Sequence, residues 1–275
     1  MQSSSDGPSQ PLLAVRDVSM AFYKQGEPVF ALENTSIDVR QGELISVIGP
    51  SGCGKSTLFK IIGGLVSPSQ GNVTLDGSAV TGPRRDIGMM FQEESTFPWR
   101  TAIDNVAFPL EVTKVAKGER RDRAEQALKM VGLEGFERHY PSELSGGMRQ
   151  RVALARTLIS QPRLLLMDEP FAALDEQTRL LLGDQILHVQ QQLSQTALLI
   201  THNITEAIQL SDRVAVMSYR PGRIKRIVDL DLPRPRTSEI VGSKQFAHYV
   251  ALIWKDLREE ANRGMLAAEQ AKRAQ

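Results

Sequence analysis

One cysteine in 275 residues, Cys53, rules out an internal disulfide and fits a reducing compartment. No stretch approaches 18 consecutive apolar residues, so none reads as a transmembrane helix. The opening residues, with Ser3, Ser4, Ser5, Pro8 and Pro11, lack the charged start and apolar core of a secretion signal. Residues 1–11 are expected to be disordered. Net charge is nearly absent as well: a formal +1 gives no argument for nucleic acid or an anionic membrane surface. No internal repeat is visible. What is present is the balance of an ordinary globular chain, 24% charged and 41% hydrophobic, long enough to bury a full core.

Residues Gly49-Pro50-Ser51-Gly52-Cys53-Gly54-Lys55-Ser56, followed by Thr57, fit the phosphate-loop pattern G-x-x-x-x-G-K-[ST] and are expected to bind a nucleotide. The context that the pattern needs is there. Glu43 to Ile48 is short, apolar and β-branched, as a buried parallel strand is, and Ser56 to Ile62 carries helical periodicity. Gly52 and Gly54 let successive N–H groups turn inward as an anion nest, and the helix start adds its positive dipole end. A helix end contributes only about 0.3–1 kcal/mol per exposed charge. Triphosphate binding therefore rests on several such donors, on Lys55 and on Mg²⁺, to which Ser56 offers its hydroxyl. Cys53 is expected to pack beneath the loop.

The run Arg163 to Asp168 reads as a second buried strand ending in two acids. Acids at the carboxyl edge of a parallel sheet face the phosphate loop. Asp168 is expected to hold Mg²⁺ directly or through water, and Glu169 to polarise the attacking water. A positioned base supplies about 10²–10⁴ in rate, so most of the acceleration must come from Lys55, Mg²⁺ and oriented N–H groups.

The order of motifs is similar to that of the ATP-binding subunits of ABC transporters. The resemblance covers roughly Leu12 to Arg236. It is carried by the phosphate loop, Phe91-Gln92-Glu93, Leu144-Ser145-Gly146-Gly147-Met148-Arg149-Gln150, Asp168-Glu169, Ala173-Leu174-Asp175 and Thr201-His202. It implies an ATPase whose two copies meet head to tail, so that Ser145, Gly146, Gly147 and Gln150 serve the partner's ATP. The local physics agrees: Ser145 is a good helix N-cap, the two glycines permit close backbone approach, and Met148 to Leu158 continues as an amphipathic helix. Gln92 is implied as a ligand of Mg²⁺ or the attacking water, and His202 as the switch that contacts the γ-phosphate. Phe22 matches the aromatic that stacks on adenine, with Tyr23 its rival. Two departures stand out: Asn203 replaces a common Asp, and Ala172 a frequent Gly.

The expected fold is α/β, a P-loop NTPase (RecA-like) core with a mixed sheet, an antiparallel β edge region and an inserted α-helical subdomain. Strands are expected near Leu12–Val18, Phe30–Val39, Leu44–Ile48, Ile87–Phe91, Leu164–Met167, Ala197–Thr201 and Arg213–Met217. The ATPase domain would span 12–236, with the helical insertion at about 93–160, where Glu119 to Val131 has helical composition and Pro141 breaks the chain. Residues 237–275 would be a C-terminal extension, helical from Phe246 to Gln270, with Trp254 packed.

Short segments narrow the likeness to importers of nitrate, sulfonate or taurine: Pro98-Trp99, Asp104-Asn105-Val106, Met167 to Arg179, Ser211-Asp212-Arg213-Val214 and Pro221-Gly222-Arg223-Ile224. That implies a place at the cytoplasmic side of the inner membrane, beneath membrane permease subunits fed by an extracytoplasmic solute-binding protein, with no nucleic acid partner. Pro98 and Trp99 are candidates for the surface receiving the permease, or for packing within the helical subdomain. A DNA-repair or translation-associated ATPase is the alternative. The first would need long heptad-rich coiled coils or metal clusters and the second normally two sets of motifs, whereas this chain has one set and neither addition.

Overall fold

The computed structural model describes residues 10–24, 26–92, 96–172, 174–234 and 236–273. The expectation of disorder over most of 1–11, and the readings at Glu93, Ala173 and Pro235, lie outside them. In chain order the first elements are β1 (Leu13–Lys24), β2 (Glu27–Val39), β3 (Leu44–Ile48), α1 (Lys55–Ile62), β4 (Gln70–Leu75), β5 (Ser78–Ala79) and β6 (Ile87–Met90). Then come α2 (Ala102–Val112), α3 (Lys117–Met130), α4 (Gly146–Leu158), β7 (Leu164–Asp168), α5 (Glu176–Leu193) and β8 (Thr196–Thr201). The chain continues through α6 (Ile204–Leu210), β9 (Arg213–Met217), β10 (Ile224–Asp229) and α7 (Lys244–Arg273).

Six strands form one sheet in the order β10-β9-β3-β8-β7-β6, parallel except for the antiparallel edge strand β10. Every residue of β3, β7 and β8 is buried, which explains their unbroken apolar sequences: helices and a second sheet cover both faces. The second sheet is antiparallel, ordered β2-β1-β4-β5. Its Leu13, Val15, Leu32, Ile37 and Val39 share one core cluster with Ile45 and Val47 of β3 and Phe59 and Ile61 of α1.

Strands β4, β5 and β10 lie where the sequence reading placed no element, and α2 falls within the expected helical insertion at a stretch for which no helix was specified. Strand β4 opens with exposed Gln70-Gly71-Asn72, and β10 is an edge strand exposing Arg226 and Ile227, so neither has the apolar run of a central strand. Helix α2 contains Pro109, which reads as a breaker but sits in the helix with its carbonyl accepting from Thr113 N. Buried Asn105 anchors the start of α2 by donating to the carbonyls of Phe97, Arg100 and Thr101. Helices α2, α3 and α4 pack on one another through Val106, Leu110, Ala124, Leu128, Val152 and Leu154, and this group joins the sheet at α4 and β6.

The C-terminal helix is longer than expected, Lys244–Arg273, and Trp254 is not packed: it is 57% exposed. The buried stripe of α7 runs through Phe246, Ile253, Asp256 and Glu260. One residue beyond Ile253 is a rotation of about 100°, which carries Trp254 off that stripe.

Candidate functional site

Parallel pairing in register brings four chain ends to one edge of the sheet. Ile48 of β3 lies opposite Thr201 of β8, Ile200 opposite Asp168 of β7, and Met167 opposite Met90 of β6. The residues that follow these ends are the phosphate loop, His202, Glu169 and Gln92. Four motifs far apart in sequence thus meet at the carboxyl edge, where open α/β sheets bind ligands.

Ser51, Gly52, Gly54, Lys55, Ser56 and Thr57 line a cleft that is closed on one side by Phe22, Val29 and Ala31 and on the other by Gln92 and Glu169. Gly54 caps α1 at φ 106°, and a Cβ there would stand 2.7 Å from the Ala31 carbonyl oxygen, so the loop can pass under β2 only as glycine. Lys55, 7% exposed, donates Nζ to the carbonyls of Gly49 at 2.8 Å and Pro50 at 3.1 Å. Cys53 is fully buried beneath the loop, and burial pushes its thiol pKa up, which favours the thiol over the thiolate. Phe22 is half exposed and lines the cleft; Tyr23, 78% exposed, is not among the lining residues.

The two acids at the end of β7 have different surroundings. Asp168 is 8% exposed, and its Oδ1 is buried with no hydrogen-bond partner among the described residues. Burial raises its pKa, with Glu169 adding to the rise and Ser56 and Lys55 opposing it. An orphaned carboxylate oxygen beside a hydroxyl is a set of hard oxygen donors that suits Mg²⁺, which usually completes its shell with water and phosphate oxygens. Glu169 sits in the left-handed region at φ 46°, an uncommon conformation that costs of order 1–3 kcal/mol and tends to occur at functional sites. That turn aims its carboxylate sideways: Oε2 lies 3.1 Å from His202 Nδ1 and accepts from Gln92 Nε2 at 3.4 Å. Two side chains thus converge on one carboxylate oxygen.

Behind His202, Thr201 Oγ1 donates to Glu206 Oε2 at 3.0 Å and accepts from Asn203 N at 3.0 Å. Asn203 caps α6 by accepting from Glu206 N, so its replacement of Asp keeps the capping role, for which the two residues are about equal. Glu206 is buried, with Oε1 unpartnered among the described residues, and burial pushes its pKa up to about 7. Sequence reasoning missed Glu206, and also Arg220, which lines the cleft from the β9–β10 turn. The helical position of Glu206 marks it only as a first-turn acid, and Arg220 reaches the site across 168 residues of sequence.

None of Ser145, Gly146, Gly147 or Gln150 lines the cleft of its own chain. Ser145 is exposed and caps α4, its Oγ accepting from Met148 N at 3.3 Å. Gln150, expected to join Ser145 on a partner's nucleotide, is 5% exposed: it lies one turn inside α4, on the helix face turned to the protein.

A family model described as "ABC transporter" matches residues 32–172. The aliphatic sulfonates import ATP-binding protein SsuB of Bacillus cereus is 44% identical over 82% of this chain and 88% of its own length. The nitrate import ATP-binding protein NrtD of Synechocystis sp. is 43% identical over 86% of this chain and 91% of its own. Among solved structures, the dimeric post-hydrolysis state of an ATP-binding cassette bound to ADP and Pi superposes with a TM-score of 0.71 at 33% identity, covering 80% of this chain and all of that one.

Proposed function

The chain belongs to the ABC transporter ATP-binding family, and from that premise we propose that it is the ATP-hydrolysing subunit of an importer for a small anionic or zwitterionic solute of the nitrate, sulfonate or taurine kind. The observation that carries the reading is the Glu169 carboxylate, held between Gln92 and His202 at the mouth of the phosphate loop. Two similar proteins are import subunits, which favours import over a DNA-repair or translation-associated role.

In this reading, the loop N–H groups and Lys55 hold the outer phosphates of ATP, and Phe22 carries the adenine. Ser56, Asp168 and Gln92 would hold Mg²⁺, which when bound neutralises charge between the outer phosphates. Glu169 accepts a proton from the attacking water, or orients it, while His202 fixes the carboxylate and reaches the γ-phosphate. Ser145, exposed at the start of α4, satisfies the Met148 N–H, and the other N–H groups of the first turn have no partner within the helix. A helix N-terminus of that kind suits an anion brought by another copy. Two copies head to tail would each complete the other's site, an arrangement in keeping with the dimeric cassette it resembles.

No described helix is long and apolar enough to cross a membrane, so the membrane-spanning part of the transporter falls to permease subunits. The chain would sit beneath them on the cytoplasmic face, with the solute-binding protein on the far side. Trp99, 71% exposed and stacked on Phe97 at 5.6 Å, is offered outward beside the helical subdomain and fits a docking contact better than a packing role. The deciding experiment is co-expression of the tagged chain with the permease encoded beside it, then ATPase measurement in proteoliposomes. Retention of the permease and stimulation of hydrolysis by solute-loaded binding protein are expected. A chain that hydrolyses ATP but retains no permease overturns the importer role.

A further inference from the structure

The cleft holds a second cation that no motif contains. Arg220 projects from the turn between β9 and β10, and its Nε donates to the Gly52 carbonyl at 2.5 Å. Its Nη2 lies 3.3 Å from where a Cβ on Gly52 would stand, at the middle of the phosphate loop. The charge also reaches beneath the loop, where it opposes the rise of the Cys53 pKa. Among the described residues no carboxylate pairs with Arg220, whereas its neighbour Arg223 is bound to Glu33 at 2.6 Å. The bond to Gly52 uses Nε alone. The forked Nη groups remain for an acceptor in the cleft, and their planar geometry suits phosphate oxygens.

The turn is held from behind by the C-terminal helix. Tyr219 N donates to Glu260 Oε2 at 3.0 Å, and Glu260 is 1% exposed. Its other oxygen is gripped by Lys225 and Arg263, each at 3.0 Å. The Tyr219 ring rests on α7 at Gly264, where a Cβ would stand 2.9 Å from two ring atoms. The residue preceding Arg220 is therefore fixed to α7 by a main-chain bond and by a seat that only glycine leaves open. A side chain on a tethered turn loses less freedom on binding than one on a free loop.

We propose that Arg220 is a phosphate-binding residue of the nucleotide cleft, and that α7 sets its position through Glu260 and Gly264. The proposal rests on the nucleotide reading of the cleft. It gives the C-terminal extension a part in ATP affinity, although α7 itself contributes no residue to the cleft lining.

Binding of Mg·ATP to the full chain, measured by calorimetry over a range of salt concentrations, tests it. Arg220→Ala should weaken binding about tenfold, with an unchanged melting temperature. It should also flatten the salt dependence, because one cation fewer meets the polyanion, while Arg220→Lys keeps most of that dependence. Glu260→Gln should weaken ATP in the wild-type background but add nothing in Arg220→Ala; if it melts early, Gly264→Ala serves instead. Unchanged affinity and salt slope in Arg220→Ala overturn the phosphate contact. Losses from Glu260→Gln and Gly264→Ala that add in full to that of Arg220→Ala, or no loss from either, overturn the control by α7. If wild type fails to bind Mg·ATP, or Lys55→Ala binds as wild type does, the nucleotide reading fails instead.

Discussion

His202 Nδ1 and Glu169 Oε2 stand 3.1 Å apart at the ends of adjacent parallel strands, and Gln92 Nε2 reaches the same oxygen at 3.4 Å. A carboxylate shared in this way has its orientation set before any water arrives.

Replacing it by an amide of equal size gives the first prediction. Glu169→Gln should retain ATP and Mg²⁺ but lose at least the roughly 10²–10⁴ in rate that a positioned base supplies. Removal of a negative charge beside a polyanion should also favour the closed pair of subunits. Size-exclusion chromatography with and without Mg·ATP is expected to give a nucleotide-dependent dimer for this variant. A monomer with ATP bound, or wild-type turnover, would remove Glu169 from the hydrolytic role.

Exposure of Ser145, away from the cleft of its own chain, leads to a complementation test. Ser145→Ala should lose hydrolysis while keeping ATP affinity, and Lys55→Ala should lose affinity, because it removes the ammonium held at the loop. Mixed dimers of the two variants regain one composite site with both halves intact. Turnover above that of either variant alone is the expected result; none in verified mixed dimers argues against sharing between subunits.

The adenine platform can be assigned by comparing two neighbours. Phe22 lines the cleft and Tyr23 does not, so Phe22→Ala should weaken ATP by about 1–3 kcal/mol, the usual worth of stacking one base, and Tyr23→Ala by much less. Nucleotide titrations that rank them in the opposite order would move the platform to Tyr23.

Glu206 predicts a pH dependence of stability. Its pKa is raised by burial to about 7 in the folded chain, against an unfolded value of 4.5, so the folded state holds the proton longer. Between those values the unfolded chain ionises freely while Glu206 does not, and stability falls as pH rises; above about 7 the loss is complete. The whole effect is about 3 kcal/mol at most. Glu206→Gln should match wild type near pH 5 and melt higher at pH 8. Parallel melting curves at both pH values would mean that burial imposes no such cost.

Where the sequence reading succeeded, the physics is local. A glycine loop between an apolar strand and a helix is written in consecutive residues, as are the Ser145 cap of α4 and the fully buried strands β3, β7 and β8. Where it fell short, the deciding interactions lie far apart in the chain. Strand β4 depends on pairing with β1, and α2 keeps Pro109 because packing against α3 and α4 outweighs one missing donor. Trp254 is as apolar as its neighbour Ile253, and only which face α7 turns to the protein decides which of them is buried.

The amino-acid sequence by itself determined the chemistry on offer: a phosphate nest, a lysine, a hydroxyl, an acid pair, an amide, an imidazole and a capped helix start, each carried by a short motif whose backbone needs are local. Tertiary structure alone decided what those groups do to one another. The parallel register of β3, β8, β7 and β6 brings their ends to one edge, the left-handed turn at Glu169 points its carboxylate at His202 and Gln92, and the seat of Tyr219 on α7 delivers Arg220 to Gly52. Such contacts join residues tens to more than a hundred positions apart, and no periodicity or spacing in the chain encodes the distance between them.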